Sequence, residues 1–225
     1  MAPRLSPPPR RVAPAAGLLA LAGACADPKV PFPPGLEPLE DNRAAFPKGD
    51  FPETLSVVVG ESDAEGGYSW CHGKGYVRRP IAGVYDALTT PRVNADRRQI
   101  DDFTVTWDVE PEYEHSYVIH NVVDDVITVE YDVNWRHGSL DDDEGALSEI
   151  GSRWQKTDGS TVIELLRGSA YTWAVDDQTT AVELILHQRS LVDDAPLVQG
   201  YLEDFFNDIV AHAHGDELQG FPSGV

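Results

Sequence analysis

The chain is short of positive charge, of cysteine and of long apolar runs. Only 17 of its 225 residues are Lys or Arg, against 38 Asp and Glu, for a formal net charge of −21. Such a surface repels nucleic-acid phosphates and anionic lipid headgroups, which excludes nucleic acid as a partner. No Gly-x-Ser-x-Gly elbow, no glycine-rich phosphate loop and no repeat at solenoid periods occurs, so three familiar routes to catalysis or scaffolding are absent. The only long apolar stretch, Val12 to Ala24, is too short to span a bilayer as a helix.

That stretch has a different reading. Arg4, Arg10 and Arg11 precede it with no acidic residue among them, and small residues close it. Charge, apolar core and small residues in that order predict a secretory signal peptide over residues 1–24. The segment Leu21-Ala22-Gly23-Ala24-Cys25 is similar to the bacterial lipobox, with Leu21 one place further back than usual. The resemblance implies that Cys25 is lipidated and becomes the new N-terminus, which anchors the protein to a membrane of the cell envelope. Loss of the three arginines takes the net charge from −21 to −24. Cys71 is then the one remaining thiol. It has no partner for an internal disulfide, so the fold must rest on its hydrophobic core.

Residues 25–54 carry seven prolines, which block helices and inner strands. This predicts an extended tether after Cys25, with Leu36 to Phe46 apolar enough to lie along the domain surface. An ordered pattern follows over 55–215, and a polar tail over 216–225. Leu55–Val59 and Gly75–Arg79 read as strands. Pro80 opens a short helix with Ile81, Val84, Tyr85 and Leu88 on one stripe. Asn94–Ile100 is expected as a second short helix. Phe103–Val109, Ser116–Val123, Ile127–Trp135, Gly151–Lys156, Thr161–Trp173 and Thr180–Gln188 read as strands, most clearly where Ile127, Val129, Tyr131, Val133 and Trp135 alternate with polar residues. Asp158-Gly159 and Asp176-Asp177 supply turns. Pro196 to His214 is a long helix that Asp193 or Asp194 can cap, with Leu202, Phe205 and Ile209 on its apolar face and Glu203, Asp204, Asn207 and Asp208 on the other.

This order predicts an α+β fold, since an antiparallel sheet with one apolar face needs a cover and only the last helix is long enough. The segment Gly75-Tyr76-Val77-Arg78-Arg79-Pro80-Ile81-Ala82-Gly83-Val84-Tyr85-Asp86-Ala87-Leu88-Thr89-Thr90-Pro91, together with the terminal helix, resembles the START-like superfamily (helix-grip or SRPBCC), which includes polyketide cyclase/dehydratase-like and lipid-transfer domains. The resemblance implies a curved antiparallel sheet wrapped around the long C-terminal helix, two short helices after the first strand, and a cavity for an apolar ligand such as a lipid. The large rings on the expected strands and helix make Trp107, Tyr131, Trp135, Trp154, Trp173, Tyr201, Phe205 and Ile209 the candidate ligand-binding residues. The same residues at core spacing also serve simply to fill a core.

No catalytic set emerges. Cys71 and His72 are adjacent in sequence, which does not bring their side chains together. The histidines lack metal-ligand spacing, with His137 and His187 standing alone, and Asp141 to Glu144 lacks a calcium-loop pattern, so neither metal nor cofactor is expected. Glu130, Asp132, Glu183, His187 and Arg189 are expected to face water. The reading is an exported, lipid-anchored envelope protein whose START-like domain binds an apolar small molecule or lipid without catalysis. The alternatives are a cyclase/hydratase-type enzyme on the same fold, and an acidic module with a closed cavity that binds a basic protein partner.

Overall fold

The computed structural model describes residues 30–62, 67–124, 126–141, 147–191, 195–218 and 220. The signal segment, Cys25, Asp125, most of the acidic loop after Asp141, Asp193, Asp194 and the end of the tail lie outside these residues. The elements are β1 (Ser56–Glu61), β2 (Ser69–Val77), α1 (Ile81–Thr89), α2 (Pro91–Asn94), β3 (Asp102–Trp107), β4 (His115–Asp124), β5 (Thr128–Ser139), β6 (Glu149–Gly159), β7 (Ile163–Asp176), β8 (Thr179–Ser190) and α3 (Ala195–His214). One antiparallel sheet runs in the order β1-β2-β8-β7-β6-β5-β4-β3, and α3 closes its inner face. This is the helix-grip architecture.

The strand pairing sorts the side chains. Cys71 pairs with Leu186, Gly75 with Val182, and Trp135 with Trp154. Because side chains alternate along a strand, these residues and every second residue from them share the inner face. Val198, Leu202, Phe205, Phe206 and Ile209 of α3 are buried in the same core. Gly168 is required there, since a Cβ at that position would lie 2.0 Å from the Trp154 ring. The helix ends as a Schellman motif: Gly215 takes φ +77°, its N–H reaches His212 O, and the Asp216 N–H reaches Ala211 O.

The structure differs from the sequence-based expectation in several places. The short helices follow the second strand, not the first as the resemblance implied, and β2 begins at Ser69 in place of Gly75, through a stretch with no clean alternation. The second short helix covers Pro91–Asn94 in place of Asn94–Ile100. Pro91 suits the first helical position, and Ala95 turns extended at ψ 127°. β3 stops at Trp107, since Asp108 adopts φ +55°.

The largest difference is the proline-rich segment. From Val30 onward it is not a free spacer but a strap across the outer face of the sheet. Val30 N–H donates to Thr157 O, Gln155 donates to Pro31 O, and Arg136 donates to the carbonyls of Phe32 and Pro33. Arg153 bonds Glu37 O, the Leu39 N–H reaches Ser169 Oγ, and Asn42 donates to Gly73 O and Leu184 O. A segment that cannot pair as a strand is held by side chains reaching up from the sheet. The strap therefore hides part of the outer face: His187, expected in water, is buried there.

Candidate functional site

The inner face is filled mainly by rings. Trp135 and Trp154 stack with centroids 4.7 Å apart, and Phe205 meets both edge-on, at 6.0 and 5.5 Å. Ile209 is buried in the same core, and Tyr131 and Tyr201 line a void at one end of it. Two of the eight candidate residues lie elsewhere. Trp173 pairs with Ala181 on the outer face, where Phe46 of the strap packs against it at 5.6 Å. Trp107 is 52% exposed at the end of an edge strand, edge-on to Tyr117.

Polar groups gather at one end of this interior. Two voids of about 10 Å³ each share Asn94, Asp96 and Tyr201 as lining residues. One lies towards Asp204 and Asp208 of α3. The other is bounded by Asn121, Tyr131, Trp135 and apolar neighbours on the strands. Each has room for about one water molecule, so the interior is closed to anything larger.

The closure has an identifiable clasp. Residues 95–101 connect α2 to β3 and lie over the voids. Arg97 reaches Asp208 at 2.5 Å, and Arg98 reaches the same carboxylate at 3.1 and 3.2 Å and Asp204 at 3.4 Å. Asp208, expected on the solvent face of the helix, is buried by these contacts. Burial pushes the Asp96 carboxyl up to about 6, with the charges of Asp204 and Asp208 adding to the rise and Arg98 opposing it. Burial also drives the Tyr201 phenol well above its usual range.

Beside the voids runs a buried hydrogen-bond chain. Asn94 donates from Nδ2 to Leu88 O at 2.7 Å and to the Tyr117 hydroxyl. That hydroxyl lies 3.0 Å from His137 Nε2, and His137 Nδ1 lies 2.9 Å from Ser152 Oγ. Since Tyr117 already accepts from Asn94, its own proton points to Nε2, which places the His137 proton on Nδ1. Burial lowers the His137 pKa to about 3, which fixes the ring as neutral. Five polar atoms of this region have no protein partner: Asn94 Oδ1, Arg97 Nε and Nη1, and the indole N–H groups of Trp135 and Trp154. An unpaired buried polar atom costs about 1–3 kcal/mol, so their presence together requires a reason.

The outer face carries a cluster that sequence spacing missed, because its members are 32 and 115 residues apart. Glu40 Oε1 lies 2.9 Å from His72 Nε2 and 3.3 Å from His187 Nε2. The three offer ligand atoms within 4.8 Å of one another, so a cation site must be considered. The second nitrogens decide. His72 Nδ1 accepts the Arg43 backbone N–H at 3.0 Å, and His187 Nδ1 accepts the Arg167 Nε–H at 3.2 Å. Both protons therefore sit on Nε2 and point at Glu40, which removes the lone pairs that a metal would need. Metal-bound histidines show the reverse pattern, with the second nitrogen donating. Burial holds both rings below their ordinary pKa, His187 at about 4, and the imidazoles hold Glu40 low against the opposing effect of its own burial. The cluster is a latch that fastens the strap. Cys71, on the inner face of the same strand, is buried with its thiol pushed up to about 12 by desolvation and by Glu203, which makes it a poor nucleophile.

A cavity of about 370 Å³ is a polar groove on the outer face beside the start of the strap. Glu110, Asp132, Arg136 and Asp158 are among its lining residues. Arg136 is committed within it to a two-point pairing with Glu110.

No protein-family model matches the chain, and no curated protein matches it in sequence. Solved structures do. Human StAR-related lipid transfer protein 5 superposes with a TM-score of 0.50 at 12% identity, covering 74% of this chain and 83% of that one. The Zhui aromatase/cyclase from a Streptomyces species gives 0.44 at 12% identity, covering 64% of this chain and 93% of its own. At such identity the likeness speaks for the fold alone. It agrees with the START-like helix-grip architecture reached from the sequence pattern.

Proposed function

We propose that this chain is an envelope-tethered binding protein that takes a small, mainly apolar molecule bearing one polar group into the space between α3 and the sheet. One observation carries the reading. The closed end of the interior gathers polar atoms without protein partners, Asn94 Oδ1 and the Trp135 indole N–H, among apolar walls and beside Asp96 and Tyr201. Binding pockets have this composition: apolar lining with a few convergent polar groups. The fold supports the reading, since START-like neighbours include a protein named for lipid transfer. Voids of about 10 Å³ cannot hold such a ligand, so binding requires residues 95–101 to swing away from α3, breaking the Arg97 and Arg98 contacts to Asp208. The lipid on Cys25 would keep the domain at the membrane without embedding it, as two acyl chains anchor stably.

The closed interior also favours a second reading, an acidic module that binds a basic protein through its surface and takes no ligand. Native mass spectrometry of the full protein purified from its own envelope separates the two. A reproducible adduct released by organic solvent, or uptake from a total lipid extract, supports the ligand reading. A clean mass with no uptake rejects it and leaves the protein-binding module.

A further inference from the structure

The strap fixes where the chain leaves the domain, and that point lies at one particular end of the sheet. Hydrogen bonds define this end. Ser160 N–H bonds Glu130 O, Leu191 N–H bonds Val162 O, Asp101 N–H bonds Val122 O, and Asp124 N–H bonds Asp101 Oδ2. The β4–β5 turn, the β6–β7 turn, the end of β8 and the 95–101 connection are thereby neighbours. Val30, tied to Thr157 O at 2.9 Å, enters beside them. Cys25 is five residues earlier. Five residues, fully extended, reach at most about 18 Å. A chain lipidated at Cys25 cannot hold this end far from the bilayer.

The same end carries the most exposed large apolar side chains of the described residues: Val126 at 93%, Leu191 at 74% and Ile127 at 63% exposed. All three sit on turns or strand ends, where side chains project outward. At the opposite end Trp107, closing β3, is 52% exposed and Val175, by the β7–β8 turn, 39%. Asp124, Glu130 and Asp158 stand on the strands at this end. Those carboxylates disfavour an anionic surface, so the surface that fits is a zwitterionic lipid interface.

We propose that the β4–β5 turn and the end of β8 rest in the interface of a zwitterionic bilayer, with Val126, Ile127 and Leu191 inserted among the headgroups. The proposal rests on the lipidated Cys25 reading. It deepens the functional one, because the 95–101 clasp then faces the bilayer and the interior can exchange an apolar ligand with the membrane directly. Docking by a few apolar tips is weak alone and becomes effective through the tether, which supplies the second membrane signal.

The test uses the full lipidated protein in phosphatidylcholine vesicles containing bromine-labelled lipid. An environment-sensitive fluorophore is placed at Ile127→Cys in one sample and at Val175→Cys in another, Cys71 being buried and unreactive. The label at 127 is expected to be quenched about threefold or more above the label at 175, as insertion to interfacial depth requires. Equal quenching, or stronger quenching at 175, overturns the docking orientation. The mass of the mature N-terminal peptide is read on the same sample. A missing lipid mass overturns the anchor, whereas a present lipid with no difference between the labels overturns the docking alone.

Discussion

The two faces of the sheet treat polar groups in opposite ways. On the outer face, most of the groups under the strap are paired: Glu40 takes both His72 and His187, and Arg136 is divided between Glu110 and two strap carbonyls, with Arg153 Nε the exception. On the inner face, Asn94 Oδ1 and two indole N–H groups lack protein partners, although they are equally buried. Buried polar groups that are fully paired stabilise and specify a fold, and ones left unpaired cost free energy. The comparison favours the proposed reading, in which the outer face is structural and the inner end binds, although the outer face holds the more conspicuous chemistry. Four experiments can break or sharpen that division.

The largest effect is expected from the inner face. Phe205→Asp places a charge between Trp135 and Trp154 and should leave no cooperative melting transition, since an unpaired buried charge costs more than a domain's margin of stability. A normal Tm would remove α3 from the core. On the outer face, Glu40→Ala strands two imidazole donors that share one acceptor. It should cost on the order of 2 kcal/mol, with Glu40→Gln milder because the acceptor oxygen stays. Equal, negligible losses in urea melts would deny the latch.

Acid should open the same latch. His72, His137 and His187 have folded pKa values below the unfolded value of about 6.5. Their contribution is therefore complete above that pH and is lost as pH falls towards the folded values, about 4 for His187 and about 3 for His137. Glu40, held below its usual range, adds stability above its unfolded pKa that is lost at still lower pH. Tm should fall steadily below about pH 6.5, and the fall should be shallower in His187→Gln. A flat profile between neutrality and pH 4 would contradict the neutral, buried rings.

Asp96 works in the other direction. Its folded pKa of about 6 lies above the unfolded value, so ionisation penalises the fold at neutral pH and the penalty disappears in acid. Asp96→Asn should stabilise the protein by about 1–2 kcal/mol at pH 7.5, a figure discounted for the partial exposure of the group, with the gain vanishing below about pH 4. Stability given up in this way is characteristic of sites kept for function. A destabilised Asn variant at pH 7.5 would show that the carboxylate is structural.

Much of the architecture was readable from the residues. Strict alternation from Ile127 to Trp135 and the apolar stripe of the last helix gave the sheet and its cover, because each is a local pattern with a fixed period. The site was less readable. Trp135, Trp154 and Phe205 pack together on the inner face with Tyr201 at one end, but Trp173 went to the outer face. One residue of register decides the face of a strand side chain, and β7 is bulged upstream of Trp173, between Ile163 and Leu165. Asn94, Asp96, Arg97 and Asp208 were missed, since they meet only when a loop without periodicity folds back on α3. The sole sequence hint was Arg97-Arg98, a basic pair in a strongly acidic chain. The strap was read only in part, with Leu36 to Phe46 expected along the domain surface: prolines announce what a segment cannot form, and most of its partners lay more than a hundred residues away.

The division between the faces is tested most directly by hydrogen exchange of the full protein, with and without a total lipid extract from its own envelope. Residues 95–101 and the first turns of α3 should exchange well before the strap at 35–45, and the extract should slow exchange at 95–101 while leaving the strap unchanged. Earlier opening of the strap, with no protection at 95–101, would contradict the account and shift the functional surface to the outer face.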